Sequence, residues 1–230
     1  MKRNFLFAGI FSFFLFCNAS DPIVNLVPNP SFETGKCPTS LSQLDYAESW
    51  TSANHGTPDY FSARAKFDVG APKNYSGYQK AADSISYAGI GFFLFPHRRE
   101  CIQCKLLEKL VKGQSYQLSF KISLADNSTF YMQEMDAALT PKRIHAMGWK
   151  AVRCKKDFLI EFKSDTTYKD KINWIIVSQN YIAKGGEQYL TIGWFDKNEQ
   201  AVEIPDPKKK SSAAEQAYYY IDDVKLVKVK

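Results

Sequence analysis

Several aromatic and polar residues fall in segments that read as loops or strand ends. Trp50, Tyr60, Tyr78 and Tyr87 offer flat apolar faces, and Arg99, Glu100, Asp126 and Asn127 offer charged and amide groups. Together they supply sugar-binding chemistry. An aromatic face stacks on the C–H side of a sugar ring while polar side chains take its hydroxyls. Each residue also has a plainer role. Trp50, Tyr78 and Tyr87 can pack in a core, Arg99-Glu100 can be a surface ion pair of little worth, and Asp126-Asn127-Ser128 is a good turn.

Catalytic patterns are missing. The chain has no G-x-S-x-G, no G-x-x-x-x-G-K, no G-x-G-x-x-G and no H-E-x-x-H. Glu134 and Asp136 stand two apart and resemble the opening of a sandwich-glycosidase signature. Ala138 and Leu139 occupy the place of the third carboxylate it needs. Two carboxylates about 5 to 9 Å apart can work as acid and base, but acids two apart on a strand also make an ordinary solvated face. The expectation is a non-catalytic protein.

Two cysteine or carboxylate groupings remain. Cys37, Cys101, Cys104 and Cys154 can form two disulfides in an oxidising compartment, in three connectivities. Cys101-Ile102-Gln103-Cys104 also has the spacing of half a zinc site or a redox pair. No second C-x-x-C follows, and His55, His97 and His145 are scattered. Near the end, Asp222 shares strand parity with Val224 and Leu226, although Lys228 breaks that face. If that face is inward, Asp222 is buried and must be paired or bound to a cation. Glu33 reaches it if the first and last strands are neighbours. Oxygen ligands would favour a structural Ca2+ over Mg2+. The other reading has Asp222 capping a turn and Glu33 in water.

The elements that position these residues are short strands. Tyr116 to Leu124 alternates apolar Tyr116, Leu118, Phe120, Ile122 and Leu124 with polar Gln117, Ser119, Lys121 and Ser123. Ser86–Phe95, Cys101–Leu107, Phe158–Phe162, Asn173–Val177, Tyr189–Phe195 and Tyr218–Val229 read as further strands, and Ile23–Val27 as a short β-prone opening. Ser40–Trp50 has room for a helical turn. Gly56-Thr57-Pro58, Val69–Tyr78 and Glu203–Ser212 read as loops. Many short strands and no helix-length periodic run predict an all-β antiparallel sandwich.

Composition agrees. The 230 residues are 45% hydrophobic and 23% charged, ordinary globular values that exclude disordered and multi-spanning chains. Lys2-Arg3, an apolar run from Phe5 to Phe16 and Cys17-Asn18-Ala19-Ser20 make a secretory signal over residues 1–19, too short for a membrane span. Bulky Phe16 argues against lipidation of Cys17. Residues 20–230 are expected to form one domain without a transmembrane segment, exported to periplasm, cell surface or medium. Net charge is +6, and loss of Lys2 and Arg3 leaves +4, no case for nucleic acid.

Asn25-Leu26-Val27-Pro28-Asn29-Pro30-Ser31-Phe32-Glu33 and Tyr220-Ile221-Asp222-Asp223-Val224 resemble the ends of secreted carbohydrate-binding modules of the galactose-binding-like jelly-roll type. The resemblance implies a structural Ca2+ on Glu33 and Asp222. An ordered set through the middle is similar to a region of exported Bacteroidota proteins, often found ahead of outer-membrane-protein-A-type peptidoglycan-binding domains. It comprises Gly56–Phe61, Gly77-Tyr78-Gln79, Tyr87–Ile90, Arg99-Glu100, Ser123–Ser128 and Gly185–Gly193. Against that pattern, Ser62–Ala65 lacks a cysteine, and Cys101 and Cys104 replace an aromatic and an aliphatic residue. A rewired bridge from Cys37 to Cys101 or Cys104 is what the resemblance implies. No peptidoglycan-binding sequence follows Lys230, so that route of anchoring is not expected. The expected partner is a glycan. The alternative is a structural or adhesive protein that binds another envelope protein through an exposed apolar patch.

Overall fold

Period-2 alternation forces one set of side chains into a core, and two such sheets satisfy each other face to face. The computed structural model describes residues 23–149, 152–163, 168–195, 201–205 and 214–229. The proposed leader and Cys17 lie outside them, as does most of the Glu203–Ser212 loop. The strands are β1 (Trp50–Ser52), β2 (Asp59–Ser62), β3 (Lys73–Asn74), β4 (Gly77–Tyr78), β5 (Ser86–Leu94), β6 (Cys101–Lys105) and β7 (Ser115–Leu124). Then follow β8 (Phe130–Met132), β9 (Glu134–Thr140), β10 (Leu159–Lys163), β11 (Ile175–Ile182), β12 (Tyr189–Gly193), β13 (Ala201–Glu203) and β14 (Gln216–Lys228). No helix among the described residues is long and apolar enough to cross a membrane.

Two five-stranded sheets have the orders β1-β6-β12-β9-β10 and β11-β7-β14-β5-β2. Their pairings are all antiparallel. From β5 onward the chain crosses repeatedly between the sheets. The order β5-β14-β7-β11 faces β6-β12-β9-β10, the two Greek keys of a jelly roll. The protein is an all-β antiparallel sandwich of this kind.

The alternation in β7 does what its sequence predicts. Tyr116, Leu118, Phe120, Ile122 and Leu124 are buried between the sheets. The opposite face of the same sheet carries a second cluster, in which Phe61, Tyr87, Tyr218 and Tyr220 pack under Val69, Ala71, Ala81 and Trp174. Residues 65–81, including the β3–β4 hairpin, therefore cover this outer face. Ile23–Val27 forms no strand; it lies against β14 through one β-bridge, Asn25 to Val227, the Leu26 N–H on the Leu226 carbonyl, and the Asn25 side-chain amide, which donates to the Val224 carbonyl and accepts the Leu226 N–H.

The cysteine expectation needs correcting. Cys37, Cys101, Cys104 and Cys154 are all free thiols. Residues i and i+3 of a strand point to opposite faces. Cys104 accordingly packs in the main core and Cys101 in a cluster on the outer face of its sheet. That geometry rules out a Cys101–Cys104 pair, and Cys37 lies exposed at the surface.

The parity of the last strand also needs correcting. A β-bulge shifts the register of β14 against β7 between Asp222 and Lys225. Asp223 sits in the bulge with φ of 51°, a conformation Asp tolerates better than most residues. Tyr219 and Ile221 before it, and Val224 and Leu226 after it, all face the core. Asp222 pairs with outward Lys121 and so lies on the outer face. It is nevertheless fully buried, beneath the loop that precedes β5.

Candidate functional site

Three chain segments meet on the outer face of the β11-β7-β14-β5-β2 sheet. The first is the β3–β4 hairpin, where Asn74 Oδ1 accepts the Ser76 N–H at 2.9 Å and sets the turn. Gly77 follows with φ of +145°. A Cβ there would lie 2.6 Å from Asp126 Oδ2, so only glycine lets Asp126 close in. Residues 126–128 are the second segment: Asp126 accepts the Tyr78 N–H at 2.8 Å, and Asn127 donates its side-chain amide to the Tyr75 carbonyl at 2.8 Å.

The third segment, residues 170–174, is held to the other two. Lys171 Nζ donates to the carbonyls of Asp126 and Ser128, both at 2.8 Å. Asp170 accepts the N–H groups of Ile172 and Asn173, which hold its carboxyl below the usual range. Trp174 donates its indole N–H to the Lys80 carbonyl at 2.9 Å and sets its ring edge-on to Tyr87, 5.9 Å between centroids. Between the segments lies an open cleft of about 510 Å3, with Tyr78, Lys80, Asp126, Ile172, Asn173 and Trp174 on its walls. Tyr78 is 54% exposed and Ile172 is 81% exposed.

The sequence-predicted residues divide. Tyr78 and Asp126 line this cleft, and Asn127 fixes its hairpin. Tyr87 lies behind Trp174, fully buried, with its hydroxyl donated to the Gln79 carbonyl. Trp50 is in the main core, tilted against Phe32 with its N–H on the Asn29 carbonyl. Tyr60 is also buried and donates to the Phe32 carbonyl. Neither ring is open to a ligand. Arg99 and Glu100 are interior as well, not a surface pair. Glu100 accepts the N–H groups of Thr57 and Gly91, and burial pushes its pKa up to about 7. Lys171, Ile172, Asn173 and Trp174 were not foreseen. Trp174 sits at the start of an expected strand, where it reads as core.

A smaller cleft of about 300 Å3 lies on the other sheet, lined by Glu134, Asp136, Glu161 and Trp194. The register pairs Asp136 with Glu161, so acids two apart in sequence share a face with a third from β10. Asp136 is 3% exposed and accepts the Phe195 N–H at 3.2 Å. Arg99 lies 5.9 Å from the ring centre of buried Trp194. The cleft's aromatics, Trp194 and Phe195, are both buried, so neither offers a stacking face.

Glu33 and Asp222 do converge, but on N–H groups. Glu33 Oε1 accepts the N–H groups of Ile85 and Ser86 at 2.9 and 2.8 Å. Asp222 Oδ2 accepts those of Ala82 and Asp83, and its Oδ1 accepts that of Asp223. A cation needs oxygens turned toward it. Here the backbone presents N–H groups to both carboxylates, and no group of three metal-ligating side chains occurs among the described residues. The pair does not fit a Ca2+ cage; it staples the loop 82–86 to both ends of the chain.

No family model and no curated protein matches the chain. Solved structures of similar fold include the CBM22-1 xylan-binding domain of Paenibacillus barcinonensis Xyn10C, at 12% identity and a TM-score of 0.44, covering 87% of this chain and 92% of that one. The K1 cleaved adhesin domain of Lys-gingipain from Porphyromonas gingivalis matches at 13% identity and a TM-score of 0.40, covering 85% and 94%. The C-terminal family 22 carbohydrate binding module of Clostridium thermocellum Xyn10B matches at 9% identity and a TM-score of 0.38, covering 87% and 94%.

Proposed function

We propose that the protein is a non-catalytic exported module that binds glycan in the cleft between residues 77–81, 126–128 and 170–174. The observation that carries this is a juxtaposition. The Tyr78 ring and the half-buried Trp174 ring border one open cleft with Asp126, Asn173 and Lys80. Aromatic faces for C–H surfaces and short polar groups for hydroxyls are what a sugar needs. The walls are cross-linked by backbone and side-chain bonds, so little ordering is required on binding. Calcium has no part in this reading, because its expected ligands hold a loop. The acidic cleft is not its centre either, because that cleft lacks an exposed aromatic face.

A glycan array probed with the purified protein tests the reading. Tyr78→Ala should weaken binding about tenfold or more, about 1.4 kcal/mol. It should leave the thermal midpoint unchanged, since the Tyr78 side chain is exposed and its Asp126 bond uses backbone. No binding by folded protein to any glycan overturns the proposal. A second reading, an adhesive module for an envelope protein, is favoured by one observation. Phe67, Tyr75 and Ile172 are 89%, 62% and 81% exposed on elements around the same cleft. A null array with capture of one defined envelope protein would select it. Reducing-end release from any bound glycan would instead point to Glu134, Asp136 and Glu161.

A further inference from the structure

Edge strands are normally guarded by shortness, charge, proline or bulges. Three of the four sheet edges obey this. β1 has three residues, β2 has four, and β10 carries Glu161 and Lys163. β11 does not. Its eight residues, Ile175 to Ile182, contain no charge, glycine or proline, and they pair with β7 in unbroken register. Among the described residues, the ladder of β11 runs to β7 alone. Ile176 and Ile182 are 66% and 63% exposed on its outer side, with Ser178 and Asn180 exposed between them.

We propose that β11 pairs edge to edge with β11 of a second copy, antiparallel about a two-fold axis at Gln179. The pattern is self-complementary in that register. Ile176 meets Ile182 of the second copy and Ser178 meets its Asn180, all on one face, while Val177 meets its Tyr181 on the core side. The backbone agrees. Ala183 donates its N–H to Gln114 on the β7 side at 3.0 Å. By alternation, the even-numbered residues of β11 aim their N–H and C=O groups outward. Those are the residues this register pairs. An isologous contact of this sort closes on itself and does not propagate into a fibre.

Light scattering after size exclusion reads the mass directly. The expected result is twice the chain mass at high concentration, falling to a single chain on dilution. Ser178→Lys should give a single chain throughout, with unchanged far-ultraviolet circular dichroism. A second variant reads geometry. Cα atoms facing at the axis would be about 4.5 Å apart, within disulfide reach. In a Cys37→Ser, Cys154→Ser background, which removes the two thiols that are not buried, Gln179→Cys should give a covalent dimer on mild oxidation, and Gln117→Cys on neighbouring β7 should not. A wild-type monomer up to about 100 μM, a dimer that survives Ser178→Lys, or equal cross-linking at Gln117 would each overturn the proposal.

Discussion

Glu100 has its carboxyl buried against Gly91 and Thr57, near a second buried acid, Asp59, which holds the Tyr218 hydroxyl. Burial, more than that neighbour, raises Glu100 to about 7, and burial likewise raises Asp222 to about 7. Unfolded carboxyls titrate near 4. The folded protein therefore keeps protons that the unfolded chain has lost, and stability present below about pH 4 is lost as pH rises toward 7. Denaturant melts should show stability falling between about pH 4 and 7 and levelling off above, by at most about 1.4 kcal/mol per pH unit for each group. Glu100→Gln should remove its share of that slope, roughly half, and leave the share of Asp222; an unchanged slope would place the titration elsewhere. Asp222 offers a separate experiment. Asp222→Ala strands the N–H groups of Ala82, Asp83 and Asp223 and should cost about 3 kcal/mol. Chelation of divalent ions should leave the thermal midpoint of the parent protein where it is. A fall of several degrees would return calcium to Glu33 and Asp222.

The β3–β4 hairpin shows how an element sets the cleft. Gly77→Ala would drive a methyl group into Asp126 and strain a backbone only glycine adopts freely. We expect glycan affinity to fall with Tyr78 intact, and the melt to shift by about 1–3 kcal/mol. Wild-type affinity in a folded Gly77→Ala protein would show that Asp126 is not part of the site. Elements with one wet face were legible in the sequence. β7 announced itself because Gln117, Ser119 and Lys121 alternate with its core residues. β9 did not: Met135, Asp136, Ala137, Ala138 and Leu139 are all buried, so no period-2 contrast survives, and Glu134 and Asp136 break the apolar run that made β5, equally buried, legible. A parity count puts Asp222 on the face of Val224 and Leu226, because the bulge between them is invisible to it. The site was half legible. Tyr78 and Asp126 stand in turn-rich sequence, whereas Trp174 reaches Lys80 across 94 residues and Lys171 reaches Asp126 across 45. No local pattern encodes those separations.

At the scale of the whole molecule, the cleft and the open edge are adjacent, because residues 170–174 lead directly into β11. A two-fold axis at Gln179 would carry two clefts on one dimer, disposed at opposite ends of a shared pair of strands. Each cleft alone would bind a short oligosaccharide with the affinity its own contacts allow. A long polymer could engage both, and the second engagement is intramolecular, worth about 10²-fold or more when the geometry permits it. The two proposals therefore separate in one experiment. Ser178→Lys should bind a short oligosaccharide by calorimetry as the parent does, yet be retarded far less in a gel containing the polymer. Tyr78→Ala should lose both signals. Equal retardation of Ser178→Lys and parent would mean that the edge contributes nothing to polymer binding, whatever its part in dimer formation. Loss of the calorimetric signal in Ser178→Lys would mean that β11 belongs to the sugar site itself.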